Sequence, residues 1–174
     1  MASFGAKPAG CIHQQMAYQF ESLNVLVVED NYNMLRLLTT ILKTLGIRRI
    51  MTAQDGSAAL ELANSMQVDV MFVDYLMEPM DGLELTRQVR TGSDSPNAFV
   101  PIIMVTGHAT PETVAAARNA GVTEFLVKPV SVKTVAARLV SVIEHPRPFV
   151  RDAHFFGPDR RRRVASFEAE RRQG

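Results

Sequence analysis

Four short apolar runs in this chain each end in a residue suited to metal or phosphate chemistry. Val25–Val28 leads into Glu29 and Asp30, Val70–Val73 into Asp74, Ile102–Val105 into Thr106, and Phe125–Val127 into Lys128. Carboxylates are the ligands a hard cation such as Mg²⁺ prefers, and a carboxylate can also act as a nucleophile. An ammonium pairs with a phosphoryl oxygen as a point charge, and a hydroxyl donates a hydrogen bond to another. Continuous apolar runs of this length suit strands buried on both faces of a parallel sheet. Ligands of open α/β sheets bind outside the carboxyl ends of the strands, so the five polar residues would gather at one rim. Singly, each has an ordinary reading: Glu29-Asp30 as a helix cap, Asp74 and Lys128 as solvated strand ends, Thr106 as a β-branched strand residue. Jointly the ordinary readings need four coincidences on one rim.

Between these runs the sequence supplies helices. Leu35, Leu38, Leu42 and Leu45 recur at helical spacing, and Gly46 follows as a stop. Ile47–Ala53 is a second, weaker strand, and an Ala-rich helix over Ala58–Met66 follows the Asp55-Gly56 turn. Asp81 is placed to cap a helix carrying Leu83, Leu85 and Val89. Residues 91–100 are loop-like. Thr110-Pro111-Glu112 opens a helix running to Gly121, with proline at its first position. A last helix presents Val132, Val135, Leu139 and Val142 with Ile143 on one face. Strict alternation of five strands and five helices predicts an α/β fold: a doubly wound, flavodoxin-like parallel sheet of order 2-1-3-4-5 with helices on both faces. The expected division is a leader over 1–22, a domain over 23–145 and a basic tail over 146–174.

Composition narrows the class. The 174 residues are 47% hydrophobic, enough for one core, and no stretch approaches the ~20 apolar residues of a membrane span. The N-terminus lacks the pattern of a secretory signal, so a cytoplasmic protein is expected. Cys11 is the single cysteine, so no intrachain disulfide can form, and it is expected to be an idle thiol. Charge is unevenly spread. From Pro146 onward eight arginines face four acids, a balance of +4, while the first 145 residues carry 11 basic and 14 acidic groups.

With the rim residues placed, the chain resembles the receiver domain of two-component response regulators over about residues 22–145. The resemblance rests on Val27-Val28-Glu29-Asp30-Asn31, on Asp74 followed by Met77-Glu78-Pro79-Met80-Asp81-Gly82, on Val105-Thr106-Gly107 and on Val127-Lys128-Pro129. It implies that Asp74 is the phosphoacceptor, attacking the phosphorus of a donor phosphohistidine, with Mg²⁺ between the two anions. It further implies that Asp30 binds the metal directly, Glu29 through water, and Leu76 through its backbone carbonyl. Lys128 would pair with one phosphoryl oxygen and Thr106 with another. The Lys128–Pro129 bond would be cis, and Gly107 would keep the pocket accessible. Phe125 is implied to be a rotating aromatic that follows Thr106 and alters the surface of helix 110–120, strand 124–128 and helix 131–144. Two features depart from the commonest pattern: Pro79 stands one place late, and Leu76 and His108 occupy positions that flank the phosphoryl group. Leu76 cannot orient water by hydrogen bonding, and His108 is expected to be exposed.

The implied role is a signalling switch and not an enzyme, fed by a sensor histidine kinase or a histidine phosphotransfer protein and acting on a downstream protein. An aspartate-based phosphatase is disfavoured because Leu76 stands where a second Asp would be needed. A phosphorelay intermediate is the alternative, as is a nucleic-acid-binding regulator using Arg160–Arg163. The 29 residues after the domain are too few for an ordinary helix-turn-helix domain with its own core. For that tail, docking of Phe149, Phe155 and Phe156 on the domain or on a second subunit stands beside a solvated extension, and both are favoured over contact with nucleic acid or an anionic membrane.

Overall fold

The computed structural model describes residues 20–92, 96–152 and 155–159. Five strands form one parallel sheet: β1 Asn24–Val28, β2 Arg49–Ala53, β3 Val70–Asp74, β4 Ile102–Thr106 and β5 Glu124–Val127, in the order β2-β1-β3-β4-β5. Every residue of β3 and β4 is buried. That is the reason for their unbroken apolar runs, since side chains on both faces meet helices. The run of β5 has a different fate. It lies at the sheet edge, where Leu126 is buried but Val127 is 46% exposed.

The helices are α1 Tyr32–Thr44, α2 Gly56–Ser65, α3 Gly82–Thr91, α4 Pro111–Ala120 and α5 Val132–Glu144. Each opens with a side-chain cap that satisfies a free N–H of its first turn: Asn31, Asp55, Asp81, Thr110 and Ser131, respectively. The cap at Asp55 starts α2 two residues ahead of the expected Ala58. Ile47 lies in the core but ahead of β2, because a turn closes α1 there. On one face of the sheet Leu35, Leu38 and Leu42 of α1 and Val135 and Leu139 of α5 pack with Val25, Phe72 and Ile103. On the other, Ala59 and Ala63 of α2 and Leu85 and Val89 of α3 pack with Leu26, Met71 and Val73. Burial of each large apolar side chain there contributes about 1.5–3 kcal/mol.

Phe20, expected in the leader, packs into the first of these clusters. The expected tail also has structure. β6 Phe149–Arg151 and β7 Phe156–Pro158 pair antiparallel, and β7 lies against α3. Phe99, Phe149 and Phe156 form an aromatic triangle with ring centroids 5.0–5.7 Å apart. Phe155 is buried as well. Of the two docking readings, this is attachment to the chain's own domain. Arg160–Arg163 and Cys11 lie outside the described residues. Among the described residues no helix is long and apolar enough to cross a membrane.

Candidate functional site

Parallel pairing fixes which strand ends meet. Register couples Val28 of β1 to Val73 of β3, and Asp74 to Val105 of β4, so Glu29, Asp74 and Thr106 emerge side by side. Thr106 pairs in turn with Val127, which delivers Lys128 to the same rim. Ligand oxygens of Glu29, Asp30 and Asp74 all lie within 4.8 Å of one another. The Lys128 ammonium reaches Asp74 Oδ1 at 2.9 Å and Glu29 Oε2 at 3.2 Å. Glu29 and Asp74 are buried, whereas Asp30 is exposed at the mouth.

Three carboxylates and one ammonium leave two negative charges in excess. At an effective dielectric of about 20, two carboxylates ~4.8 Å apart repel by on the order of 3 kcal/mol. Burial raises the Glu29 carboxyl above its ordinary range, and the Asp74 charge raises it further against the pull of Lys128. Burial likewise raises Asp74, with Lys128 opposing. The same burial works against the Lys128 ammonium, but the Asp74 and Glu29 carboxylates outweigh it and hold the lysine above its usual value. Glu29 Oε1 is buried with no hydrogen-bond partner. An orphaned anionic oxygen, excess negative charge and an all-oxygen donor set fit a divalent cation of the Mg²⁺ type.

Two glycines shape the support beneath. A Cβ at Gly82 would stand 2.1 Å from the backbone oxygen of Asp74, so only glycine lets α3 begin that close to the strand end. A Cβ at Gly56 would collide with the Met80 side chain, which links the β3–α3 loop to the start of α2. Neither contact was legible in the sequence, where Gly56 reads as a turn and Gly82 as a helix start. A Cβ on Gly107 would meet nothing within 4 Å, so that side of the rim is open.

Thr106 is buried, and its hydroxyl donates to the His108 carbonyl at 2.9 Å while accepting from the His108 N–H at 3.2 Å. It is therefore engaged by the β4–α4 loop and not by the carboxylates. The His108 side chain is exposed, as expected, and Leu76 is 71% exposed beside Asp74. Phe125 is half-buried and packs against the small core cluster of Leu83, Met104 and Ala117. It also lines an open groove of about 460 Å³ with Val114, Arg118, Thr123, Glu124 and Arg147. The Lys128–Pro129 peptide is cis, and so is Glu78–Pro79 in the loop where the proline stands one place late.

Known proteins resemble this chain in sequence and fold. The family described as the response regulator receiver domain matches residues 25–140. The chemotaxis protein CheY of Pseudomonas aeruginosa is 30% identical over 122 residues, which cover 70% of this chain and 97% of the relative. The solved chemotaxis protein CheY4 of Vibrio cholerae superposes with a TM-score of 0.65 at 32% identity, covering 70% of this chain and 98% of its own. The receiver domain of a sensor histidine kinase from Pseudomonas aeruginosa, solved with a magnesium ion coordinated in its active-site cleft, gives 0.62 at 27% identity, over 68% of this chain and 94% of its own. Carboxylates converging at the strand ends, the lysine bound to them and a family match spanning most of the chain lead to one conclusion: this protein belongs to the response regulator receiver domain family.

Proposed function

We propose that Asp74 is the phosphoacceptor of a Mg²⁺-dependent signalling switch charged by a histidine kinase. The observation that carries this reading is the Asp74 carboxylate at the end of the central strand, 2.9 Å from the Lys128 ammonium and grouped with Glu29 and Asp30. In the transfer, an Asp74 oxygen forms a bond to phosphorus as the nitrogen–phosphorus bond of a donor phosphohistidine breaks. The electron pair of that bond leaves on the imidazole nitrogen. Positioning and charge stabilisation are the protein's main contributions to phosphoryl transfer. Glu29 and Asp30, with Asp74 itself and the Leu76 carbonyl, would hold Mg²⁺, which neutralises charge as the two anions meet. Lys128, already bound to Asp74, is placed to follow its charge onto the phosphoryl oxygens. Thr106 would exchange its bond to the His108 carbonyl for one to the phosphoryl group. That exchange loosens the β4–α4 loop and lets Phe125 rearrange beside α4, which alters the surface offered to a downstream protein.

The test is phosphorylation by acetyl phosphate with Mg²⁺, followed by intact-protein mass spectrometry. The wild type should gain one phosphoryl group and Asp74→Asn none. Undiminished incorporation in Asp74→Asn would move the acceptor to another residue.

A further inference from the structure

The family match ends at residue 140, yet described residues continue to Asp159 and close on the base of the domain, at the opposite end of the strands from Asp74. At its centre is Arg90, a charged side chain only 2% exposed on α3. Its Nε and Nη2 donate to the Gly121 carbonyl at 3.1 and 3.0 Å, and its Nη1 donates to the Ala98 carbonyl at 3.0 Å. The Gly121 carbonyl lies at the C-terminal end of α4, where the helix dipole favours a cation. Phe149 of β6 covers the guanidinium at 5.0 Å. A guanidinium is costly to bury, and burial pushes Arg90 down to about 9, so it remains charged at neutral pH. Two carbonyls of the domain offset part of that cost, and the aromatic face of Phe149 adds to them only while the ribbon is in place.

A second contact is steric. Gly121 has φ +100°, and its neighbour across the contact is Gly157: a Cβ built on Gly157 would stand 2.9 Å from Gly121 Cα. The ribbon and the α4–β5 turn therefore touch backbone to backbone. Arg147, on the approach to β6, lies 3.4 Å from Glu124 Oε1 and lines the groove beside Phe125. The segment thus holds the lower end of α4 and the start of β5 at once. At the upper end, α4 is tied through the β4–α4 loop to the Thr106 hydroxyl.

We propose that residues 146–152 and 155–159 form a strap, locked over Arg90, that restrains the α4–β5 surface and acts as a brake on its rearrangement. The strap itself follows from the contacts above, while its action as a brake rests on the phosphoacceptor reading of Asp74. Closure covers a desolvated cation with a small ribbon, and Phe149 is the ribbon's own contact to it. With the strap closed, any shift of α4 that follows release of Thr106 must work against the Gly121–Gly157 contact. With it open, that work is absent and the groove loses Arg147 as a wall.

Full-length Gly157→Val tests this, because its side chain cannot fit against Gly121 yet lies outside the main core. Hydrogen exchange on the unphosphorylated protein should show amides of residues 117–124, 149–152 and 155–157 exchanging at least tenfold faster, with β1 and β3 unchanged. Phe149→Ser, which uncovers Arg90, should do the same, and Val150→Thr, an exposed control on β6, should not. Unchanged exchange in both strap variants would overturn the strap. Binding of beryllofluoride with Mg²⁺, a phosphoryl mimic, reads the brake. Gly157→Val should bind at least threefold tighter than wild type, and equal affinity would overturn the brake. If Asp74→Asn binds the mimic as well as the wild type does, the phosphoacceptor reading fails and takes the brake with it, while the exchange result still decides the strap.

Discussion

Asp30 and Glu29 are adjacent in the chain but stand in different surroundings. Asp30 is exposed at the mouth of the site, and Glu29 is buried with one oxygen orphaned. A cation entering from solvent would therefore meet Asp30 first. Asp30→Ala removes an accessible ligand while leaving the buried Glu29–Lys128 pair in place, so it should weaken Mg²⁺ binding without unfolding the domain. Loss of ~1.4 kcal/mol is already a factor of ten in affinity, and we expect at least about that from isothermal titration with MgCl₂. Wild-type affinity in Asp30→Ala, measured on folded protein, would reduce Asp30 to a turn residue.

At the scale of elements, the loop before β4 performs a task that its composition hides. Asn97 is buried; its Oδ1 accepts from the Val68 N–H at 3.0 Å, and its Nδ2 donates to the carbonyls of Ala63 and Met66. One amide thus satisfies the C-terminal end of α2 and the entry to β3 together, and β3 carries Asp74. Asn97→Ala strands several buried polar groups, each costing about 1–3 kcal/mol. Urea unfolding should show a loss of roughly 2–4 kcal/mol, taking partial rescue by water into account. A loss below about 0.5 kcal/mol, the size of an ordinary surface change, would mean that the loop is not a tie between the elements.

Across the whole molecule, the acidic site works against folding when no metal is bound. The carboxyls of Glu29 and Asp74 are raised above 4.5 and 3.8, their ordinary values. Between those values and the raised ones, the folded state holds more protons than the unfolded chain. Stability therefore falls as pH rises through that window, and the stabilisation of the protonated forms is gone above the raised values. With EDTA present, Asp74→Asn should melt higher than the wild type at pH 7, and the gain should disappear near pH 4. Saturating Mg²⁺ should raise the wild-type melting temperature at pH 7, because a ligand that binds only the folded state stabilises it. A metal-free Asp74→Asn protein that melts lower than the wild type at pH 7 would refute this balance.

The fold class and the rim were open to reading in the sequence because both follow from local regularities. Unbroken apolar runs such as Val70–Val73 mark strands covered on both faces, and capping residues such as Asp81 and Thr110 mark where helices begin. Once the strands lie parallel, their ends converge without further information, which is why Glu29, Asp74, Thr106 and Lys128 could be grouped from spacing. Tertiary closure decided the rest. Lys128 and Glu29 are 99 residues apart, and nothing local to either specifies their ion pair. Arg90 sits in a helix pattern as an unremarkable last-turn cation, yet it is sealed beneath Phe149, 59 residues later. Phe149 and Phe156 carried two docking readings, on the domain or on a second subunit, and it took the packed base to show them against Phe99 and Arg90 of their own domain. Periodicity records which face of an element is covered; which distant side chain covers it depends on the shape of the closed chain.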